Sequence, residues 1–131
     1  MDERTFKDRT KKFALAVVKL VESLPRTRTA DVLGRQLLRA GTSVGANYRA
    51  ACRGRSASDV VAKLGIVEEE ADESIYWLEL LLESGSTSVD RVAALTKEAN
   101  ELLAMTVASI KTLRSRNNFA TIAKPNPKSK I

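Results

Sequence analysis

The 131-residue sequence has no histidine. That removes imidazole acid–base catalysis, Ser-His and Cys-His nucleophile pairs, and the Glu-x-x-His ligands of di-iron bundles. One cysteine, Cys52, cannot form an internal disulfide, which fits a reducing compartment. No apolar run approaches the ~20 residues of a membrane span. Met1 to Lys12 is charged, unlike the apolar start of a signal peptide. The expected location is therefore cytoplasmic, with no membrane partner. No glycine precedes a Lys-Ser/Thr pair at P-loop spacing, and no dinucleotide fingerprint occurs. Aromatics make up only 5% of the chain. Only Phe6, Phe13 and Phe119 lie among the basic segments, which argues against base stacking on single strands. No catalytic residue, cofactor or metal ligand set emerges.

Ala, Leu, Glu, Lys and Arg dominate instead, and 44% of residues are apolar, enough for one core. The few glycines and prolines fall at segment ends or on one helical stripe. Four segments carry helical periodicity, with helices expected at about 6–24, 30–53, 58–83 and 89–116. In the first, Phe6, Phe13, Val17, Leu20 and Leu24 share a face, Ala14, Val18 and Val21 widen it, and Pro25 ends it. The second, capped by Thr29 or Asp31, places Leu33, Leu37, Ala40, Val44, Tyr48 and Ala51 on its core stripe. Gly34, Gly41, Gly45 and Cys52 flank that stripe. Each mid-helix glycine costs about 1 kcal/mol relative to Ala, so another backbone must come close, either inside the bundle or from another subunit. In this small-residue setting Cys52 reads as packed rather than reactive. The third, capped by Ser56 or Ser58, has Val60, Leu64, Val67, Ala71, Ile75, Leu78 and Leu82. The fourth follows the turn at residues 84–88 and has Val92, Leu95, Ala99, Leu102, Thr106, Ile110 and Leu113. Residues 117–131 lose the periodicity, hold Pro125 and Pro127, and read as a flexible basic tail. Matched lengths and short links predict an all-α, antiparallel up-down-up-down four-helix bundle with left-handed packing over residues 1–116.

Charge is unevenly placed. Residues 1–63 carry 14 Lys/Arg against 6 Asp/Glu, residues 64–110 carry 2 against 10, and residues 111–131 carry 6 and no acid. Alternating helix direction brings three cationic stretches to one pole. These are Arg4, Lys7, Arg9, Lys11 and Lys12; then Arg49, Arg53, Arg55 and Lys63; then Lys111, Arg114 and Arg116, with Lys124, Lys128 and Lys130 beyond. Only Asp2, Glu3, Asp8 and Asp59 oppose them. Such a pole suits a phosphate backbone, with contacts that carry little sequence information. The same cations also complement the C-terminal dipoles of helices 2 and 4.

On the third helix Tyr76 and Leu80 lie nearly opposite the core stripe, with Trp77 and Leu81 on its shoulder. An outward aromatic beside leucines predicts a subunit contact. The run Glu68-Glu69-Glu70 with Asp72 and Glu73 spreads around the helix and reads mostly as a solvated face, not a metal site. Arg39, Ser43, Asn47 and Ala50 form a polar shoulder on the second helix. Arg39 can pair with Glu73, within a subunit or across an interface.

The segment Gln36-Leu37-Leu38-Arg39-Ala40-Gly41-Thr42-Ser43-Val44-Gly45-Ala46-Asn47-Tyr48-Arg49-Ala50, followed by Lys63-Leu64-Gly65-Ile66-Val67-Glu68-Glu69-Glu70-Ala71-Asp72-Glu73-Ser74, resembles the bacterial four-helix-bundle family named for the intervening sequence of 23S ribosomal RNA genes. The resemblance covers about residues 5–116. It implies a bundle that assembles as a ring, a homopentamer. The family is similar in fold to the accessory protein of diversity-generating retroelements, a basic pentameric bundle that engages nucleic acid and a reverse transcriptase. The implied partners are therefore a second copy of the chain, RNA or DNA, and a nucleic-acid-processing protein. Arg39, Ser43, Asn47 and Glu73 match the family's recurring polar positions. The family's usual Glu-Gly is here Ala50-Ala51, and the segment after Arg116 lies outside the pattern.

Two functions are open on these grounds. One is a non-enzymatic ring that binds nucleic acid, RNA foremost, through its basic pole. The other is a protein-interaction scaffold that uses the acidic third-helix face beside Tyr76 and Leu80.

Overall fold

A computed structural model describes residues 2–123, with side chains described through residue 116. The chain forms four helices: α1 (Glu3–Glu22), α2 (Arg28–Cys52), α3 (Ala57–Glu83) and α4 (Val89–Ala123). No strand occurs among the described residues.

Side-chain caps set the starts of α1, α2 and α3. The Asp2 carboxylate accepts the Thr5 amide at 2.7 Å, the Thr27 hydroxyl that of Ala30 at 3.1 Å, and the Ser56 hydroxyl that of Asp59 at 3.0 Å. Each satisfies one of the free amides of a first turn. The α2 cap is thus Thr27, not Thr29 or Asp31, and α1 starts three residues before Phe6, at Glu3. A Schellman turn closes α3. The Gly85 amide reaches the Leu82 carbonyl at 3.1 Å and the Ser86 amide that of Leu81 at 3.0 Å. Gly85 adopts a φ of 78°, which its missing Cβ permits.

Sequential helices pack against each other and α4 returns to α1, while the diagonal pairs do not meet among the described residues. Direction is set by side-chain pairing along α1 and α2. Leu24 meets the backbone at Gly34, Val17 at Gly41 and Thr10 at Gly45, and Phe6 stacks on Tyr48 with ring centroids 4.5 Å apart. Numbers fall on one helix as they rise on the other, so the two run antiparallel. The glycine stripe therefore serves close packing inside the bundle. A Cβ at Gly41 would stand 2.8 Å from a Val17 methyl.

The core holds Phe6, Phe13, Val17 and Leu20 of α1, Leu37, Val44 and Tyr48 of α2, Leu64, Val67, Leu78 and Leu81 of α3, and Val92, Leu95, Leu102 and Ile110 of α4. On α3 the expected stripe holds through Ala71 and then moves one position back: Ser74 and Leu81 are buried, while Ile75 and Leu82 are only half-buried. From Leu64 to Leu81 the buried positions alternate strictly by three and four, the seam spacing of a left-handed bundle, whereas the expected stripe takes two successive steps of four to reach Ile75. Ser74 tolerates burial because its hydroxyl donates to the Glu70 carbonyl at 2.8 Å. Leu81, expected at a subunit contact, has no exposed surface and belongs to the core of its own protomer.

α4 runs to Ala123, past the expected end at residue 116. Loss of the apolar stripe after Leu113 marks where packing stops, not where the helix does. At 35 residues α4 is about 52 Å long, against about 30 Å for α1, so it overhangs the end of the bundle. The expected tail from residue 124 onward lies outside the described residues.

Candidate nucleic-acid interface

The start of α1, end of α2, start of α3 and far half of α4 meet at one end. A single open cleft of about 760 Å³ touches all four, through Glu3, Tyr48, Cys52, Val60, Leu113 and Arg116 among others. Alternating direction thus assembles the cationic pole, and Arg4, Arg49, Arg53, Arg55, Lys111, Arg114 and Arg116 are all exposed.

The pole is subdivided. Lys7, Lys11 and Arg49 converge on a smaller groove between α1 and α2. Arg116 borders the end cleft. Lys111 and Arg114 line neither groove. Lys12 pairs with Asp8 of its own helix at 3.0 Å and does not join the α1–α2 groove.

Local pairing consumes the few acids. Glu3 contacts Lys7 at 2.8 Å, and that ammonium holds the Glu3 carboxyl below its usual range. Asp2 is spent on the cap, and Asp59 accepts the Arg55 amide at 3.3 Å. Arg9, expected among the free cations, is withdrawn from the surface by α4. Its guanidinium meets Glu98 at 2.6 Å and Glu101 at 2.9 Å, and its other arm touches the Met105 sulfur at 3.2 Å. The Glu98 hydrogen bond raises its pKa further. Pairs four residues apart are legible in sequence, whereas this pair, between helices distant in the chain, is not.

Cys52 is half-buried beside Tyr48, and burial pushes both the thiol and the phenol up, so each stays protonated at neutral pH. A protonated thiol is a poor nucleophile. Among the described residues no group of three or more Cys, Asp and Glu side chains could hold a metal ion. No described helix is long and apolar enough to cross a membrane.

The polar shoulder of α2 pairs within its own protomer. Arg39 grips Glu73 and reaches Glu70 at 3.2 Å, so the Glu68–Glu70 run is not wholly a solvated face. Glu73 in turn accepts the Trp77 indole N–H at 3.0 Å. The Asn47 amide donates to the Ser43 carbonyl one turn back, at 2.9 Å. Trp77 and Leu80 are half-buried along this seam. Tyr76 stacks edge-on against Trp77, yet keeps 53% of its surface exposed.

The bundle matches a known group of proteins. The sequence profile of the 23S rRNA-intervening sequence proteins matches residues 3–108. The chain belongs to that family. The crystal structure of a protein of unknown function from Bacteroides thetaiotaomicron, of the S23 ribosomal protein family, is 33% identical. It superposes with a TM-score of 0.79 over 85% of this chain and 99% of its own. No curated protein matches. The family span contains Lys7, Lys11, Arg49, Arg53 and Arg55, while Lys111, Arg114 and Arg116 lie beyond it.

Proposed function

We propose that this family member is a non-enzymatic, ring-forming cytoplasmic protein, a homopentamer, that binds nucleic acid through its cationic end. RNA is the foremost ligand and sequence selectivity is low. The observation that carries the reading is the convergence of all four helices on one cleft, with Arg4, Arg53, Arg55, Arg114 and Arg116 exposed around that end. The cations at this end outnumber its acids, Asp2, Glu3, Asp8 and Asp59, which leaves a net positive field to attract phosphates. With Phe6 and Tyr48 buried in the core, few aromatic faces remain to read bases, so phosphate contacts dominate. Self-association is supported by exposed Tyr76 next to half-buried Trp77 and Leu80.

Binding of RNA and of duplex DNA between about 50 and 200 mM salt tests the reading. Affinity should fall steeply with salt, and the triple charge reversal Arg53→Glu, Arg55→Glu, Arg114→Glu should weaken it by more than about tenfold. Tight binding that survives both would reject the surface.

A second reading, a protein-interaction scaffold, is favoured by the acidic outer face of α3, where exposed Glu69 and Asp72 precede Tyr76. Capture of a protein partner that withstands nuclease and high salt would support it over the first.

A further inference from the structure

The α1–α2 groove differs from the rest of the cationic end in shape as well as charge. It has a volume of about 260 Å³, and Lys7, Lys11 and Arg49 stand along its edges. Ala14, Gly45 and Ala46 line it between them. A Cβ at Gly45 would lie 3.1 Å from the Thr10 hydroxyl, so the floor is the helix contact itself and no long side chain fills it. No carboxylate lines the groove among the described residues. Lys7 and Lys11 are one helical turn apart, about 6 Å along the axis. Arg4 stands a turn before Lys7, and Arg53 a turn beyond Arg49. Because α1 and α2 run antiparallel, Arg53 falls on the same end of the groove as Arg4. The cations therefore form two rails, one on each helix, with an uncharged channel between.

We infer that this groove is the principal nucleic-acid contact and takes the sugar–phosphate backbone of a single strand. The inference rests on the nucleic-acid reading above and narrows it to one face. Successive cations on each rail match successive phosphates along a strand, and the small floor lets the sugar edge approach both helices. No aromatic side chain among the described residues lines the groove, so nothing there stacks a base and the bases are not read. The exposed Lys7–Glu3 pair gives way to a phosphate, because a surface ion pair holds its partners weakly. Lys111 and Arg114 of α4 add only long-range attraction.

The test measures fluorescence anisotropy of a labelled oligouridylate of about 15 nucleotides on the full chain, at several salt concentrations. The double variant Lys11→Gln/Arg49→Gln should weaken binding about tenfold and make the salt slope shallower by about 1.4, the value for two phosphates lost on a single strand. Lys111→Gln/Arg114→Gln should change affinity less than about threefold. Ala46→Leu fills the groove at an exposed position without changing charge and should also weaken binding. Unchanged circular dichroism confirms that the variants keep the fold. If the α4 pair costs as much as the groove pair, or Ala46→Leu binds like the parent, the groove assignment is overturned while the nucleic-acid reading stands. If the parent fails to bind even at low salt, both fall.

Discussion

The Asp2 carboxylate holds the Thr5 amide at 2.7 Å and the Thr5 hydroxyl at 3.1 Å, and these bonds keep its pKa below the ordinary 3.8. Glu3 is held below 4.5 in the same way by Lys7. A carboxylate with a lowered folded-state pKa stabilises the fold fully above its unfolded value, and that contribution disappears as pH falls through the lowered one. The start of α1 should therefore fray first on acidification, below about pH 4. Amide protection at Thr5 and Phe6, corrected for the intrinsic exchange rate at each pH, measures this, and Asp2→Asn should shrink the loss of protection on acidification to the part that Glu3 and Lys7 contribute. Equal protection of these amides at acid and neutral pH would show that the cap contributes nothing. The same residue scale holds the pairings that sequence spacing does not reach. Lys7 and Lys12 pair with acids one turn away on their own helix, while Arg9 and Arg39 pair with acids on another.

Helix ends were legible where their chemistry is local and unambiguous, at Pro25 after α1, Ser56 before α3 and Gly85 after α3, whereas the Asp2 cap of α1 was missed and the α2 cap was placed at Thr29 or Asp31 instead of Thr27 because several capping residues stand close together there. The stripe on α3 was legible only in part, since Ser74 looks polar in sequence and is buried by the demand for a continuous face. The glycines separate two cases on one physical basis. Gly41→Ala gains helix propensity of about 1 kcal/mol. It also drives a Cβ to 2.8 Å from Val17, and overpacking of that kind costs about 1–3 kcal/mol. The net effect should be a loss of about 1 kcal/mol. A Cβ at Gly65 would meet nothing within 4 Å. Gly65→Ala should therefore stabilise by about 0.5–1 kcal/mol. Urea melts of the two variants should shift in opposite directions, and a shift in the same direction would mean that α1 can move away from α2 at no cost.

At the scale of the whole molecule, α2 and α3 share the most extensive contact and α1 and α4 the least, so Arg9 bridges the loosest seam. The outward face of α3 bears Tyr76, which keeps 53% of its surface exposed among the described residues. Light scattering should give a mass several times that of one chain. Tyr76→Glu with Leu80→Glu should return it to the protomer with helicity intact, because neither side chain belongs to the core. Leu81→Glu should instead unfold it, since that position is buried without a partner for a charge. A monomer in the parent protein would end the ring proposal.

The sequence alone determined that this chain makes four helices, where most of them begin and end, and that alternating direction gathers its cations at one end. Those features follow from periodicity, capping chemistry and chain order, which act between near neighbours. Tertiary structure alone decided that the glycine stripe meets α1, that Arg39 and Glu73 pair within one chain, that Leu81 is core, and that Arg9 is spent on α4 while Lys7, Lys11 and Arg49 share a groove. Each depends on which faces of helices distant in sequence come within a few ångströms, and that is set by how the whole set of side chains packs together.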